Sequence, residues 1–331
     1  MAVEGSLSLL SSGGLQGVVL YQNVFPSVYL GQTSGVSFRN SFFVEQPEKV
    51  VTALLEVGII ASSSTIRGLV LSVNGITLTR EFKPLTCAPY GEKMFCKAVY
   101  DIKPVVESKP ATAWTVEIEY RGLHELAVEH LGLLVLRGHE SAENRHAYYS
   151  GALSLRPGDS YEIRLLGEAA EGELRIVALI PSQEASLVVE AGGSAHRLQG
   201  SGFNEYSIPV SSLESVVLRH EGGGSYYPRE ILVSAVLAYH VKAPEPVIEA
   251  RLVRMEQGRA TVEIANAGGE AAHNIIVVSF SKGNVLERKI IERIEPGQAQ
   301  RLDLKAEPGG SIRVIWRYLD KTIFRDIKLK R

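Results

Sequence analysis

Four blocks of this chain occur twice, in the same order. Val28-Tyr29-Leu30-Gly31-Gln32 has a counterpart in Leu153-Ser154-Leu155-Arg156-Pro157-Gly158, and Leu71-Ser72-Val73-Asn74-Gly75 in Val188-Val189-Glu190-Ala191-Gly192-Gly193. Tyr100-Asp101-Ile102-Lys103-Pro104-Val105 resembles Tyr206-Ser207-Ile208-Pro209-Val210, and Thr115 to Gly122 matches Ser215 to Gly222 in residue type at most positions. The blocks are strand-like, with apolar and polar residues alternating and Gly or Pro closing the runs. An ordered repeat of this kind marks a duplicated folding unit. It predicts two related β-sandwich domains of jelly-roll type, residues 17–138 and 139–242, behind a flexible N-terminus of residues 1–16. The first copy carries an extra excursion, roughly Arg80 to Lys97, with no counterpart in the second.

Outside the repeat the pattern is also extended. Leu69 to Val73, Asn74-Gly75 and Ile76 to Leu78 read as a strand, a type I′ turn and a return strand, because Asn and Gly tolerate positive φ. Glu48 to Ile60 has helix-like spacing, but Val50, Val51, Thr52, Val57, Ile59 and Ile60 are β-branched and favour a strand. The 331 residues are enough to bury several cores without metals. Many short strands parted by Gly, Pro and Ser predict an all-β chain of three consecutive antiparallel β-sandwich domains, two jelly-roll-like and one Ig-like.

The third domain follows Val241-Lys242-Ala243-Pro244-Glu245-Pro246, whose two prolines make an extended, stiff linker. The charge balance changes there, from −7 over residues 1–245 to +5 over 246–331. Ala260-Thr261-Val262-Glu263-Ile264-Ala265-Asn266-Ala267-Gly268-Gly269-Glu270-Ala271-Ala272-His273-Asn274-Ile275 resembles the CARDB-type, immunoglobulin-like modules of prokaryotic surface proteins. Ile294-Glu295-Pro296-Gly297-Gln298, with Leu302 and Leu304, is similar to the proline-glycine turn before their next strand. The resemblance implies an Ig-like fold for residues 246–331, a place outside the cell and a role as an interaction or spacer module. It brings no catalytic residues.

Motifs that would carry chemistry are missing. Gly31-Gln32-Thr33-Ser34-Gly35 misses the nucleophile-elbow pattern because its serine is displaced. Neither a phosphate-binding loop, a dinucleotide-binding glycine pattern nor a calcium loop occurs, so no cofactor is expected. Four of the eight histidines lie between His124 and His146. His124 and His130 stand at i and i+6, so they do not share a helical face; on a strand they would lie roughly 20 Å apart, too far for one metal. They are read as solvated or interface histidines, and Gly138 to His146 as the connection between the first two domains. Sandwich folds host glycosidases that use two carboxylates, but nothing distinguishes any pair among the 37 acids. Candidate ligand-contact aromatics are Trp114, Tyr148, Tyr149, Tyr226 and Tyr227, which would stack sugar rings if exposed. The commoner arrangement is a tyrosine packed across a sandwich corner. A net charge of −2 gives no footprint for nucleic acid, and Arg325, Lys328, Lys330 and Arg331 would meet few phosphates. Membrane contact is expected only indirectly, at an anionic surface or ahead of an anchor.

The two cysteines, Cys87 and Cys96, flank Ala88-Pro89-Tyr90-Gly91, a tight reversal that would bring them within bonding reach. A disulfide is expected there, tying a protruding hairpin that acts as a contact element. Eight Asn and nine Gln are few for this length and lean towards a thermophilic source, where cytosolic disulfides also persist. No apolar run is long enough to span a bilayer, and the first residues lack the pattern of a signal peptide. No Asn begins a glycosylation sequon. These features predict a non-enzymatic structural or interaction protein of the cell surface or of an assembly, with protein partners or copies of itself. A carbohydrate-binding or glycan-processing protein, and a virion or cytoplasmic scaffold component, are the alternatives.

Overall fold

The computed structural model describes residues 3–31, 34–44, 49–64, 66–167, 171–222, 228–318 and 321–329. The chain divides into two compact units, Met1–Lys242 and Ala243–Arg331. In the first, the strands are β1 (Glu4–Val24), β2 (Val28–Leu30), β3 (Ser37–Phe43), β4 (Val50–Ala61), β5 (Leu69–Val73), β6 (Ile76–Thr79), β7 (Thr86–Tyr90) and β8 (Lys93–Asp101). A short helix α1 (Lys103–Ser108) precedes β9 (Ala113–Tyr120) and the long β10 (Leu126–Leu155). There follow β11 (Ser160–Arg164), β12 (Gly172–Ile180), β13 (Ala185–Ala191), β14 (Ser194–Leu198), β15 (Gly202–Val210), β16 (Ser215–Gly222) and β17 (Ile231–Lys242).

These strands form two jelly rolls of the same strand order. In the first, β10-β4-β8 with β1 and β2 on the other edge of β10 opposes β3-β9-β5-β6; in the second, β10-β17-β12-β15 opposes β11-β16-β13-β14. The repeated blocks land on equivalent strands, Thr115 to Gly122 on β9 and Ser215 to Gly222 on β16. Each obeys the same rule: Val116, Ile118 and Tyr120 face one core while Val216, Leu218 and His220 face the other. The Asn74-Gly75 turn has positive φ at both residues and closes the pair Val73 and Ile76, as its sequence predicts.

Several expectations are corrected. Residues 4–16 are no flexible tail; they pair with Glu143–Ser154 of β10 as the first half of β1. Gly138 to His146 is no free connection either, since β10 runs through it from one jelly roll into the other, with the register against β1 slipping between Gln16 and Gly17. The domain boundary thus lies inside one strand, and residues 1–242 are one compact unit. The cysteine hairpin does not protrude. Cys87 and Cys96 are bonded and are direct cross-strand partners on β7 and β8, and Cys96 and Ala88 are fully buried. Because β8 takes the place that β15 has in the second jelly roll, the excursion ends before Lys93 rather than at Lys97.

The second unit is a sandwich of β18 (Ile248–Glu256), β19 (Arg259–Asn266) and β22 (Ala299–Lys305) against β21 (Asn284–Ile294), β20 (Ala272–Ser281), β23 (Ser311–Tyr318) and β24 (Lys321–Lys328). Ile248, Val262, Ile264, Val277, Ile312, Val314 and Trp316 fill its core. Asn266 explains the turn chemistry read from the sequence. Its buried side chain accepts from the Gly268 and Val247 N–H groups and donates to the Glu270 and Ile294 carbonyls. Its own carbonyl accepts from Gly297 at 2.7 Å, so the two glycine turns hold each other.

Candidate functional site

The two jelly rolls meet through the outward faces of their β10-bearing sheets. Val19, Tyr21, Ile60, Phe95, Leu134 and Leu136 from the first and Tyr148, Val177, Leu179, Phe203, Leu232 and Leu237 from the second form one apolar cluster. A polar group lies inside this layer: Glu56 on β4, Lys97 on β8, His130 on β10 and Ser234 on β17, all with no solvent exposure. Tyr21 and Asn23 of β1 join it.

Local irregularities place these side chains. On β17, Ile231 and Val233 face the second core, but so do Val236 and Ala238, so the alternation changes parity in between. Ser234 is the extra residue: Ala235 pairs with Val177 and Val233 with Ala178, leaving Ser234 bulged towards the other jelly roll. β10 does the same at Glu129, which lies between the pairs Val128–Ile59 and His130–Gly58. Opposite it, Phe25, Pro26 and Ser27 interrupt the edge between β1 and β2, with Ser27 in the left-handed region at φ 47°. Three irregularities therefore converge on one spot. Two glycines make room there. A Cβ on Gly132 would stand 2.6 Å from Glu56 Oε2 and 2.9 Å from Asn23 Oδ1, and one on Gly58 would meet the Phe95 ring at 2.9 Å.

Lys97 is the hub. Its Nζ lies 2.8 Å from Glu56 Oε2, 2.6 Å from His130 Nδ1 and 2.8 Å from Ser234 Oγ, so each of the three ammonium protons has an acceptor. Burial lowers the Lys97 pKa, and the Glu56 carboxylate opposes that shift. Burial, and then the Lys97 charge, hold His130 well below its ordinary value, so the ring is neutral. With Nδ1 accepting from Lys97, the ring proton is on Nε2, which donates to Asn23 Oδ1 at 2.8 Å. The Tyr21 hydroxyl reaches Glu56 Oε2 at 3.3 Å, and burial pushes its pKa well up. Phe25 stacks on His130 at 5.5 Å, and Phe25 and Phe203 stack on each other at 6.1 Å. Glu56 Oε1 and Asn23 Nδ2 have no protein partner among the described residues.

The mouth of this layer is acidic and half-buried. Tyr90 sits there with its pKa pushed up to about 12, by burial first and then by Glu129 and Glu230. Glu129 accepts from the Ser27 hydroxyl at 2.8 Å, and Glu230 from the Gly91 N–H at 3.3 Å, which ties the cysteine hairpin to the start of β17.

Of the aromatics singled out in the sequence, the three described ones are packed and not presented as a sugar platform. Trp114 and Tyr148 are fully buried, the Trp114 indole donating to the Ala111 carbonyl at 2.8 Å. Tyr149 is half-buried against the second core and bonds the Arg164 carbonyl. Tyr226 and Tyr227 lie outside the described residues. Of the two histidines read as solvated or interface residues, His124 is exposed and His130 lies between the jelly rolls; His139 is half-buried and His146 buried within β10. The hub itself was missed. Its signal was present in single polar residues that break apolar runs: Glu56 in Leu54-Leu55-Glu56-Val57, Lys97 in Phe95-Cys96-Lys97-Ala98-Val99, and Ser234 in Leu232-Val233-Ser234-Ala235-Val236.

No known protein family matches the chain, and no curated protein matches it. Among solved structures, PNGase F, a glycosylasparaginase from Flavobacterium meningosepticum, aligns with 68% of this chain and 99% of its own at 8% identity and a TM-score of 0.27. A β-glucuronidase from Ruminococcus gnavus aligns over 57% of this chain and 36% of its own, at 12% identity and a TM-score of 0.21. One from an uncultured Clostridium sp. aligns over 56% and 35%, again at 12% identity and 0.21. At such scores the likeness transfers neither fold nor activity to this chain.

Proposed function

We propose that this chain is a non-catalytic structural and interaction protein, an extracellular surface or assembly component that works through its sandwich modules, the last of them CARDB-type. The observation that carries this reading is the use made of Glu56, Lys97, His130 and Ser234. These are side chains able to move protons or attack a carbonyl, yet all are fully buried where the jelly rolls meet, Lys97 bonding Glu56 and His130 of the first and Ser234 of the second. Acid–base catalysis requires a reacting atom within about 3 Å of the group. A substrate would reach these atoms only if the two jelly rolls parted. What the cluster does supply is a rigid double module.

The surface supplies edges for assembly. Val285 and Ile290 on β21 and Phe324 on β24 are exposed, and both strands are edges of the same sheet. An exposed apolar edge is a template for pairing with another chain, and two different edges of one module can join copies head to tail. The test is sedimentation velocity of the full chain from micromolar to submillimolar concentration, with electron microscopy. Ordered oligomers are expected, and Ile290→Lys should dissolve them without lowering the melting temperature. A strict monomer would overturn the assembly role. Turnover of a glycoside, ester or peptide panel that disappears in Glu56→Gln would overturn the non-catalytic one.

A further inference from the structure

The outer face of the four-stranded sheet in the second unit carries an apolar row from edge to edge. Ile290 on β21 pairs with Ile276 on β20, Ile276 with Ile315 on β23, and Ile315 with Phe324 on β24. None of the four belongs to the core, which takes Ile275, Val277, Val314 and Trp316 from the other face. Ile290 and Phe324 are 55% and 57% exposed. Val278, and Phe280 with its partner Val285, extend the apolar surface along β20. β20 runs Ile275-Ile276-Val277-Val278 without a polar break, the composition of a strand buried on both sides. The opposite sheet is built differently. β19 alternates, with Val262 and Ile264 in the core and Thr261 and Glu263 outside, where Arg251 and Arg301 flank the carboxylate. One outer face of this sandwich suits water and the other does not.

Charge selects a second copy of the chain as the cover. Beside the apolar row lies the row Arg288, Val278, Arg313 and Asp326. Arg313 donates to both oxygens of Asp326, at 2.7 and 2.8 Å, and each oxygen keeps acceptor capacity. Arg288 makes no ion pair among the described residues. A two-fold axis along the strands lays β21 of one copy over β24 of the other, and β20 over β23. Each row then meets itself in reverse: Ile290 faces Phe324, Ile276 faces Ile315, and Arg288 faces Asp326 of the second copy. An axis across the strands would instead lay β23 on β23 and set Arg313 against Arg317, which stand two residues either side of Ile315. Like charges disfavour that arrangement.

We propose that this face packs against the same face of a second copy, in a closed two-fold dimer held by the apolar rows and two Arg288–Asp326 contacts. The proposal rests on the reading that copies of the chain assemble, and adds a face to the edges already named. Four strands about 4.8 Å apart and about 27 Å long give roughly 500 Å² a copy. The pair then buries about 1,000 Å², the lower limit of a specific contact, so a reversible micromolar dimer is expected.

The test combines sedimentation velocity of the full chain with cross-linking. Both native cysteines are bonded, so Ile276→Cys supplies a single thiol. In packed faces the two added thiols stand about 10 Å apart, within reach of a short bis-maleimide; in a head-to-tail edge pair β20 lies four strand spacings, about 19 Å, from its copy. A linked dimer is expected. Ile276→Lys, which leaves both edges as they are, should raise the dissociation constant at least about tenfold with the melting temperature kept, and Arg288→Glu about tenfold. Oligomers that persist undiminished in Ile276→Lys or Arg288→Glu, or no linked dimer from Ile276→Cys, would overturn the face pairing and leave edge assembly standing. A monomer at every concentration would overturn both.

Discussion

Lys97 shows how one residue sets the energetics of the interface. Its ammonium is fully buried, where a charge is tolerated only because three acceptors surround it. Lys97→Met keeps the shape but strands the Glu56 carboxylate, and removing one partner of a buried pair typically costs about 3–5 kcal/mol. Replacing both, as Glu56→Leu with Lys97→Met, should return most of that stability, because two apolar groups need no compensation. Urea unfolding of the two variants decides the matter; equal losses would mean that the pair does not act as a unit. His130 adds a pH dependence of defined sign. Burial depresses its pKa, and those of His146 and His220, below the value of about 6.5 they take in the unfolded chain. The unfolded chain therefore binds protons that the fold refuses. Stability is complete above about pH 6.5 and declines as pH falls towards the depressed folded values, by up to about 1.4 kcal/mol per pH unit for each such histidine. His130→Gln should flatten that slope by one proton, measured as the urea midpoint between neutral and mildly acidic pH.

At the scale of elements, the strands legible in the sequence are those with one wet face. β9 and β16 alternate cleanly because one side of each meets a core and the other meets water, and their repeat was visible for that reason. β10 is buried on both sides over much of its length, so its composition carries no period, and the residues where it passes between jelly rolls looked like a linker. The first half of β1 was unreadable for another reason. Ser11, Ser12, Gly13 and Gly14 have the composition of a loop, yet they form an edge strand whose order comes from backbone pairing with β10. A deletion separates these accounts. Removing residues 1–16 would be silent for a flexible tail, but here it strips a strand from the second jelly roll and bares the edge of β10. The shortened chain should melt at lower temperature and aggregate; an unchanged melting curve would count against the pairing. The disulfide belongs to this scale too. It closes a short loop whose constraint on the unfolded chain is worth about 2–3 kcal/mol. Its β8 cysteine is fully buried, so reductant should reach it slowly in the native protein and rapidly in urea, as alkylation followed by mass spectrometry would show.

The whole molecule combines one cooperative body with one separate module. The two jelly rolls share β1, β10 and a common apolar layer with a polar hub inside it, so neither can unfold and leave the other intact. The second unit has its own core and follows a two-proline linker. The repeat made the jelly rolls look like two independent domains, because duplication is written in strand patterns, whereas fusion depends on which faces the strands turn outward. Calorimetry of the full chain should therefore show two transitions and not three, one for residues 1–242 and one for 243–331. The two tryptophans assign them. Trp114 is buried in the first jelly roll and Trp316 lies in the core of the second unit. In a Trp316→Phe background the fluorescence reports only the double jelly roll, and its midpoint should coincide with one calorimetric peak across the whole body. Adding Lys97→Met should move that peak down, with the Trp316 signal of a Trp114→Phe chain left in place. A Trp114 transition that splits from the unfolding of the second jelly roll, followed by hydrogen exchange along β12 and β17, would show that the hub does not couple the two.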